Sequence, residues 1–199
     1  MMNVLEEIVS HKHDEIASRK RMMKISALAD CELFHRRTAS LRESLVDHDV
    51  FGIIAEIKRS SPSAGTLRDN VVPEAIALEY QEQGAAGISI LTDQRFFSGS
   101  LADLRSVRDA VQVPLLRKDF IIDEYQVYEA RANGADAILL IAAILDKLHL
   151  RDLHAMAREL GMECLVELYK VSEIDILDFD TMKLVGVNNR DLRTLAVDV

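Results

Sequence analysis

Phe51-Gly52-Ile53-Ile54-Ala55-Glu56-Ile57-Lys58-Arg59-Ser60-Ser61-Pro62-Ser63 is a short apolar run that ends in charge and then in a loop. A run of this kind, with its first strongly polar residues at the C-terminal end, reads as a strand buried on both faces, as in a parallel sheet. Side chains two apart on a strand share a face, so Glu56 and Lys58 point one way while Ile53, Ala55 and Ile57 point the other. An acid and a base are thereby presented together at one strand tip. Alone, a Glu-x-Lys pair reads as an ion pair closing a buried strand, because both residues are commonest as surface pairs. Matching groups on other strand tips are what would turn it into chemistry.

Three further runs supply them. Leu115-Leu116-Arg117-Lys118-Asp119-Phe120 is apolar and ends around a lysine, and Cys164-Leu165-Val166-Glu167 ends in a glutamate. Leu184-Val185-Gly186-Val187-Asn188-Asn189-Arg190-Asp191 ends in amides and an arginine. Between these runs a unit of helix, glycine and strand repeats. Glu82-Gln83-Gly84-Ala85-Ala86-Gly87-Ile88 recurs as Ala132-Asn133-Gly134-Ala135-Asp136-Ala137-Ile138, and Glu159-Leu160-Gly161-Met162 is a shorter echo. Each glycine falls where a helix must stop and the chain must turn, the place of a left-handed cap residue.

The pattern predicts helices from Pro73 to just before Gly84, at 101–110, 124–133 and 146–160, and a short one near 172–178. Strands are predicted at 87–91, 113–118, 136–141, 162–167 and 182–188, in addition to the first. Such alternation makes a parallel sheet with helices outside. Polar groups gathered at one end of four strands select a TIM-type (β/α)8 barrel, which builds its active sites at the strand C-termini. A doubly wound open sheet competes, but no glycine-rich phosphate fingerprint follows the first strand and the polar groups are spread over many tips.

Ahead of the first strand, Leu5, Ile8 and Val9 with charged residues between them predict an amphipathic helix over about 4–23. A second helix is expected from Asp30, as N-cap, to near Val46. The basic cluster Arg19, Lys20, Arg21 and Lys24 reads as a solvated face. The loop from Ser60 to Asn70 is long for a βα connection and is a candidate lid or substrate clamp.

The motifs AEIKRSSPS (55–63), LLRKDF (115–120), CLVELY (164–169) and VGVNNRDL (185–192), in this order and spacing, resemble the indole-3-glycerol phosphate synthase family of tryptophan biosynthesis. The resemblance runs from the N-terminal helices to the last residue. It implies an α/β, ribulose-phosphate-binding barrel with an N-terminal helical extension (1–47) before the barrel strands (48–199), and helices that cover part of the active-site mouth. The implied reaction is that of a lyase, with no cofactor: decarboxylating ring closure of 1-(2-carboxyphenylamino)-1-deoxyribulose 5-phosphate to indole-3-glycerol phosphate.

By the same resemblance, Lys118 is the general acid for ring closure, and Glu167 takes part in the proton transfers of dehydration with Glu56 as its partner. Lys58 binds substrate anions and donates in dehydration. Arg190, with its planar fork, suits the anthranilate carboxylate, and Asn188 the neighbouring hydroxyls. Phe97 and Phe120 are candidates to pack on the anthranilate ring, with core packing favoured for either taken alone, and Ser61 matches a binding serine in the loop. Ala64 stands where many family members carry a basic residue. In a site of this type a lysine enclosed by apolar groups and cations is expected to be lowered in pKa, and a glutamate in a partly apolar pocket raised.

Six strands are counted where a closed barrel of this type has eight. The last two βα units, with the phosphate-binding cup they contribute in the family, are therefore expected to be missing from this chain. The first and sixth strands would then be open edges, suited to self-association. Two other readings stay open. One is a non-catalytic or partner-completed barrel fragment that retains the catalytic residues. The other is a different phosphosugar barrel enzyme such as an isomerase, which fits the set Lys58, Lys118, Glu167, Asn188 and Arg190 less well.

Composition sets the outer bounds. The 199 residues are 49% apolar and 29% charged, ordinary for one globular domain with one core. A net charge of -9 argues against nucleic-acid binding through a general basic surface, so any phosphate site must be locally positive. Cys31 and Cys164 lie far apart with neither metal nor redox spacing, which suits a reducing cytoplasm. No apolar segment is long enough to span a bilayer, and the start, with Glu6 and Glu7, lacks the form of a signal peptide. The six histidines show no zinc-site spacing, and no metal is expected.

Overall fold

The structure, a computed structural model, describes residues 3–47, 52–62, 65–66 and 71–191. The chain opens with α1 (Val4–Met22), started by a capping box in which Asn3 and Glu6 satisfy each other's backbone N–H groups. There follow α2 (Ile25–Ala29), a 3-10 turn at Glu32–His35, and α3 (Leu41–Val46). The single helix expected from Asp30 to Val46 is therefore broken, and Asp30 closes α2 rather than starting a helix.

Tertiary bonds explain the break. The extended residues between the 3-10 turn and α3 are drawn onto the N-terminal ends of distant strands. Arg36 Nη2 lies 2.5 Å from Asp136 Oδ1, the Ala39 N–H donates to the same oxygen at 2.8 Å, and the Thr38 hydroxyl donates to the Gly161 carbonyl at 2.5 Å. Ser40 then restarts the helix by capping the Glu43 N–H.

The remaining elements alternate as the sequence pattern predicts. They are β1 (Ile54–Ile57), a small antiparallel hairpin of β2 (Ser60–Ser61) and β3 (Gly65–Thr66), α4 (Pro73–Glu82), β4 (Gly87–Leu91), α5 (Gln94–Phe97) and α6 (Leu101–Ala110). Next come β5 (Leu115–Lys118), α7 (Glu124–Ala132), β6 (Ala137–Ile141), a 3-10 turn at Ala142–Ile144, α8 (Lys147–Glu159), β7 (Glu163–Leu168), a 3-10 turn at Val171–Ile176, and β8 (Leu184–Val187). The repeat glycines Gly84 and Gly134 turn the chain after their helices with φ of 81° and 86°, a region that side chains with a Cβ rarely adopt. The hairpin and α5 have no counterpart in the sequence pattern, and the short helix near 172–178 is a 3-10 turn.

All strands of the main sheet are parallel, in the order β1-β4-β5-β6-β7-β8. Spatial order equals chain order, which is the wall of a barrel. A doubly wound sheet would reverse its order part-way. Among the described residues β1 and β8 each pair on one side only. This corrects the reading of the first strand as buried on both faces: of Ile54–Ile57 only Ile57 is buried, and Ile54, Ala55 and Glu56 are partly exposed.

The convex face packs Ile57, Ile88, Ile90, Leu115, Ile138 and Val166 against the helices in the main core. The concave face is closed at both ends by the N-terminal helices. Leu41 of α3 packs on Leu116 and Ala137 at the floor, and Leu5 and Ile8 of α1 pack on Phe120, Leu139 and Ile141 near the strand C-termini. Burying each such leucine or isoleucine contributes about 1.5–3 kcal/mol. Of the basic cluster at the end of α1 only Arg19 docks, its Nη1 2.8 Å from Glu129, contrary to the expected solvated face. Lys20, whose Nζ lies 2.8 Å from Asp123, Arg21 and Lys24 are exposed, as expected. No helix among the described residues is long and apolar enough to cross a membrane.

Candidate active site

Strand alternation places Glu56 of β1 and the following Lys58 on the concave face, with Ile57 between them turned into the helix-facing core. On β5 the same alternation turns Lys118 inward and Arg117 outward. The three inward groups meet. Glu56 Oε1 accepts from Lys58 Nζ at 2.6 Å, and Oε2 from Lys118 Nζ at 2.7 Å. Burial pushes the Glu56 carboxyl up, but Lys118 and Lys58 together outweigh it and hold the group below its ordinary value. The expectation of a raised glutamate thus fails at Glu56: one carboxylate sits between two ammonium groups, and the cluster is net positive.

Across the pocket, Glu167 at the end of β7 accepts from Asn188 Nδ2 at 2.9 Å. Asn188 is fixed in turn, its N–H donating to the Leu168 carbonyl at 2.7 Å and its Oδ1 accepting the Arg190 N–H at 2.9 Å. Glu56 and Glu167 line the same pocket but take different partners, the lysines for one and Asn188 for the other. Phe97, on α5, and Phe120, just after β5, face each other with ring centroids 6.0 Å apart and planes tilted by 34°. Ser61 of the hairpin and Arg190 after β8 also line it, so the nine residues given catalytic or binding roles from the sequence open on this one pocket. Ala64 lies outside the described residues, as does most of the loop read as a candidate lid. Among the described residues no group of three or more His, Cys, Asp or Glu is placed to hold a metal.

A family model described as indole-3-glycerol phosphate synthase matches residues 5–199. The chain belongs to the indole-3-glycerol phosphate synthase family. Among curated relatives, the indole-3-glycerol phosphate synthase of Salinibacter ruber is 45% identical over 200 residues, covering 100% of this chain and 74% of that one. That of Desulfotalea psychrophila is 45% identical over 203 residues, covering 100% and 76%. That of Carboxydothermus hydrogenoformans is 41% identical over 201 residues, covering 98% and 76%. A chain of the tryptophan synthase complex of Pyrococcus furiosus is 16% identical, with a TM-score of 0.48 over 68% of this chain and 63% of that one. The six parallel strands are the part of the family's barrel wall that this chain supplies, and the pocket opens at their C-terminal ends, where barrel enzymes place their active sites.

The sequence reading missed a second tier of charge behind the pocket. Lys12 of α1 is 1% exposed and Arg117 is fully buried, both bound to Asp119. A signal for each was available. Leu5, Ile8, Lys12 and Ile16 are spaced three, four and four apart, which puts the lysine on the buried stripe of the helix. Arg117 alternates with Leu115 on a face that otherwise reads as core.

Proposed function

We propose that this chain converts 1-(2-carboxyphenylamino)-1-deoxyribulose 5-phosphate to indole-3-glycerol phosphate, carbon dioxide and water. The observation that carries the reading is the meeting of Lys58, Glu56 and Lys118 in one pocket with the Asn188-held Glu167. The ring carbon that bears the carboxylate attacks the ketose carbonyl, whose oxygen takes a proton from Lys118. Loss of carbon dioxide restores the aromatic ring. The new hydroxyl then leaves as water with a proton from Lys58, while Glu167 takes part in removing the proton that gives the second double bond.

Glu56, held ionised between the two lysines, keeps both ammonium groups aimed at the reacting carbons. Arg190 reads the carboxylate that is to be expelled, with Asn188 and Ser61 on neighbouring polar groups. Phe97 and Phe120 enclose the aryl ring, an arrangement that stabilises aromatic contact without a full face-to-face stack. The net positive lysine cluster suits an anionic substrate in a chain whose overall charge is -9.

Incubating the chain with this substrate and following carbon dioxide and indole product together tests the reading. Equal yields of both are expected. Isomerised substrate with no carbon dioxide would favour the isomerase reading, and tight binding without turnover the non-catalytic one. The one-sided pairing of β1 and β8 among the described residues supports association with a second copy, and sedimentation of a single monomeric species over a wide concentration range would rule that out. The free thiols of Cys31 and Cys164 support a cytoplasmic setting, which cell fractionation tests.

A further inference from the structure

The buried stripe of α1 carries one charge, Lys12, and that charge is shared among three acids. Its Nζ lies 2.8 Å from Asp93 Oδ2, 2.9 Å from Asp119 Oδ1 and 2.7 Å from Glu15 Oε2. Asp93 and Asp119 have fully buried side chains. Burial opposes the charge on Lys12, but Asp119, Asp93 and Glu15 outweigh it and hold the ammonium above the ordinary lysine value.

Each buried acid has a second bond that bears on the site. Asp93 Oδ1 accepts the Phe96 N–H at 2.7 Å and so starts α5, the single turn that carries Phe97. Asp119 follows Lys118 directly, and its Oδ1 also accepts the Phe120 N–H at 2.8 Å. Its other oxygen takes the Thr92 hydroxyl at 2.7 Å and Arg117 Nη2 at 2.9 Å, and Arg117 continues to Glu129 at 2.9 Å. Lys12 itself does not reach the pocket.

We propose that Lys12 is a positioning residue for the aromatic wall of the site: by drawing Asp93 and Asp119 onto one ammonium, it fixes the turn bearing Phe97 against the strand end bearing Phe120. This rests on the proposed reading of that wall as the seat of the substrate's aryl ring. Without the ammonium, buried Asp93 loses its ion pair and faces Asp119, which keeps Arg117 at 2.9 Å, and the cheapest relief is for the α5 turn to move away from the end of β5. Such a shift spoils aryl binding while leaving the polar groups on β1, β7 and β8 in place.

The test compares affinity for the substrate with affinity for an analogue whose aryl group is replaced by an alkyl chain, in the wild type, Lys12→Met and Lys12→Arg, each corrected for its folded fraction. Lys12→Met is expected to weaken the aryl ligand about ten- to a hundredfold, the scale of an ångström-size displacement in a site. The alkyl analogue should change by less than about twofold, within the error of independent sites. Lys12→Arg, which keeps the charge, should recover part of the loss. In a Phe97→Leu background the Lys12 effect should disappear.

Equal weakening of both ligands, or a Lys12 effect that adds fully to that of Phe97→Leu, would show that Lys12 only holds the fold. If Lys12→Met does not fold, the cycle of Lys12→Arg with Phe97→Leu decides the matter by the same criterion. A wild-type chain that binds neither ligand, or shows no preference for the aryl one, refutes the reading of the site, and the positioning role falls with it. A wild-type preference left intact in the Lys12 variants refutes the positioning role alone.

Discussion

Replacing Lys118 by methionine should separate chemistry from stability, and the structure sets both magnitudes. The ammonium is 2.7 Å from Glu56 and its side chain is 33% exposed. Its removal leaves no orphan charge, because Glu56 keeps Lys58 at 2.6 Å. A partly exposed pair of this kind is worth about 0–1 kcal/mol. For a chain of this size that is a shift of at most about 2–4 °C in Tm. Loss of a positioned general acid, in contrast, costs about two to four orders of magnitude in rate. At about 1.36 kcal/mol per decade, this raises the barrier by about 2.7–5.4 kcal/mol. The rate should therefore collapse in a protein that melts almost normally.

Single-turnover measurement of carbon dioxide beside indole product sharpens the test. Carbon dioxide leaves only after the carbon–carbon bond has formed, so Lys118→Met should suppress both signals. Lys58→Met should release carbon dioxide and stall before water is lost. A Lys118→Met protein that turns over within about tenfold of the wild type removes Lys118 from the role, since a general acid contributes at least about a hundredfold. So does a Lys118→Met protein that releases carbon dioxide without forming indole, because its block would then lie after ring closure.

Arg190→Lys keeps the charge but loses the planar fork, and should weaken the carboxylated substrate about tenfold, or 1.4 kcal/mol, while an analogue lacking the anthranilate carboxylate is unaffected in calorimetric titration. Leu41→Ala empties the floor of the concave face, where Leu41 is fully buried against Leu116 and Ala137, and should cost about 2–5 kcal/mol in denaturant unfolding with little change in ligand affinity. Three shifted groups at and behind the pocket contribute to the pH dependence of Tm. Glu56 and Asp119 are held below their ordinary values, so their contribution is complete above about pH 4 to 5 and is lost as pH falls through their folded values. Lys12 is held above its ordinary value, so its contribution is complete below about pH 10 and is lost as pH rises through its folded value. An acid-side fall of Tm from Glu56 and Asp119 and an alkaline-side fall from Lys12 are expected, and Lys12→Met should lose the part of the alkaline fall that Lys12 causes.

The alternation of strands and helices was legible in the sequence because it is written in local periods. Apolar runs at 87–91 and 136–141, glycines such as Gly84 and Gly134 that stop helices, and polar residues confined to strand tips follow from the geometry of the backbone itself. So was the membership of the pocket, since side-chain alternation on parallel strands puts Glu56, Lys118, Glu167 and Asn188 at one end of one face. What each charge binds was decided only in three dimensions. Lys118 reaches Glu56 across 62 positions, and Arg19 reaches Glu129 across 110. The same non-local bonding overrode helix propensity between Asp30 and Val46, where Arg36, Thr38 and Ala39 bind strand ends far along the chain. It also placed Lys12 among buried acids, where the local pattern showed only one charge on an apolar stripe. A periodic pattern states which way a side chain points, but the partner that makes a buried charge tolerable comes from another segment, and no local period encodes that meeting.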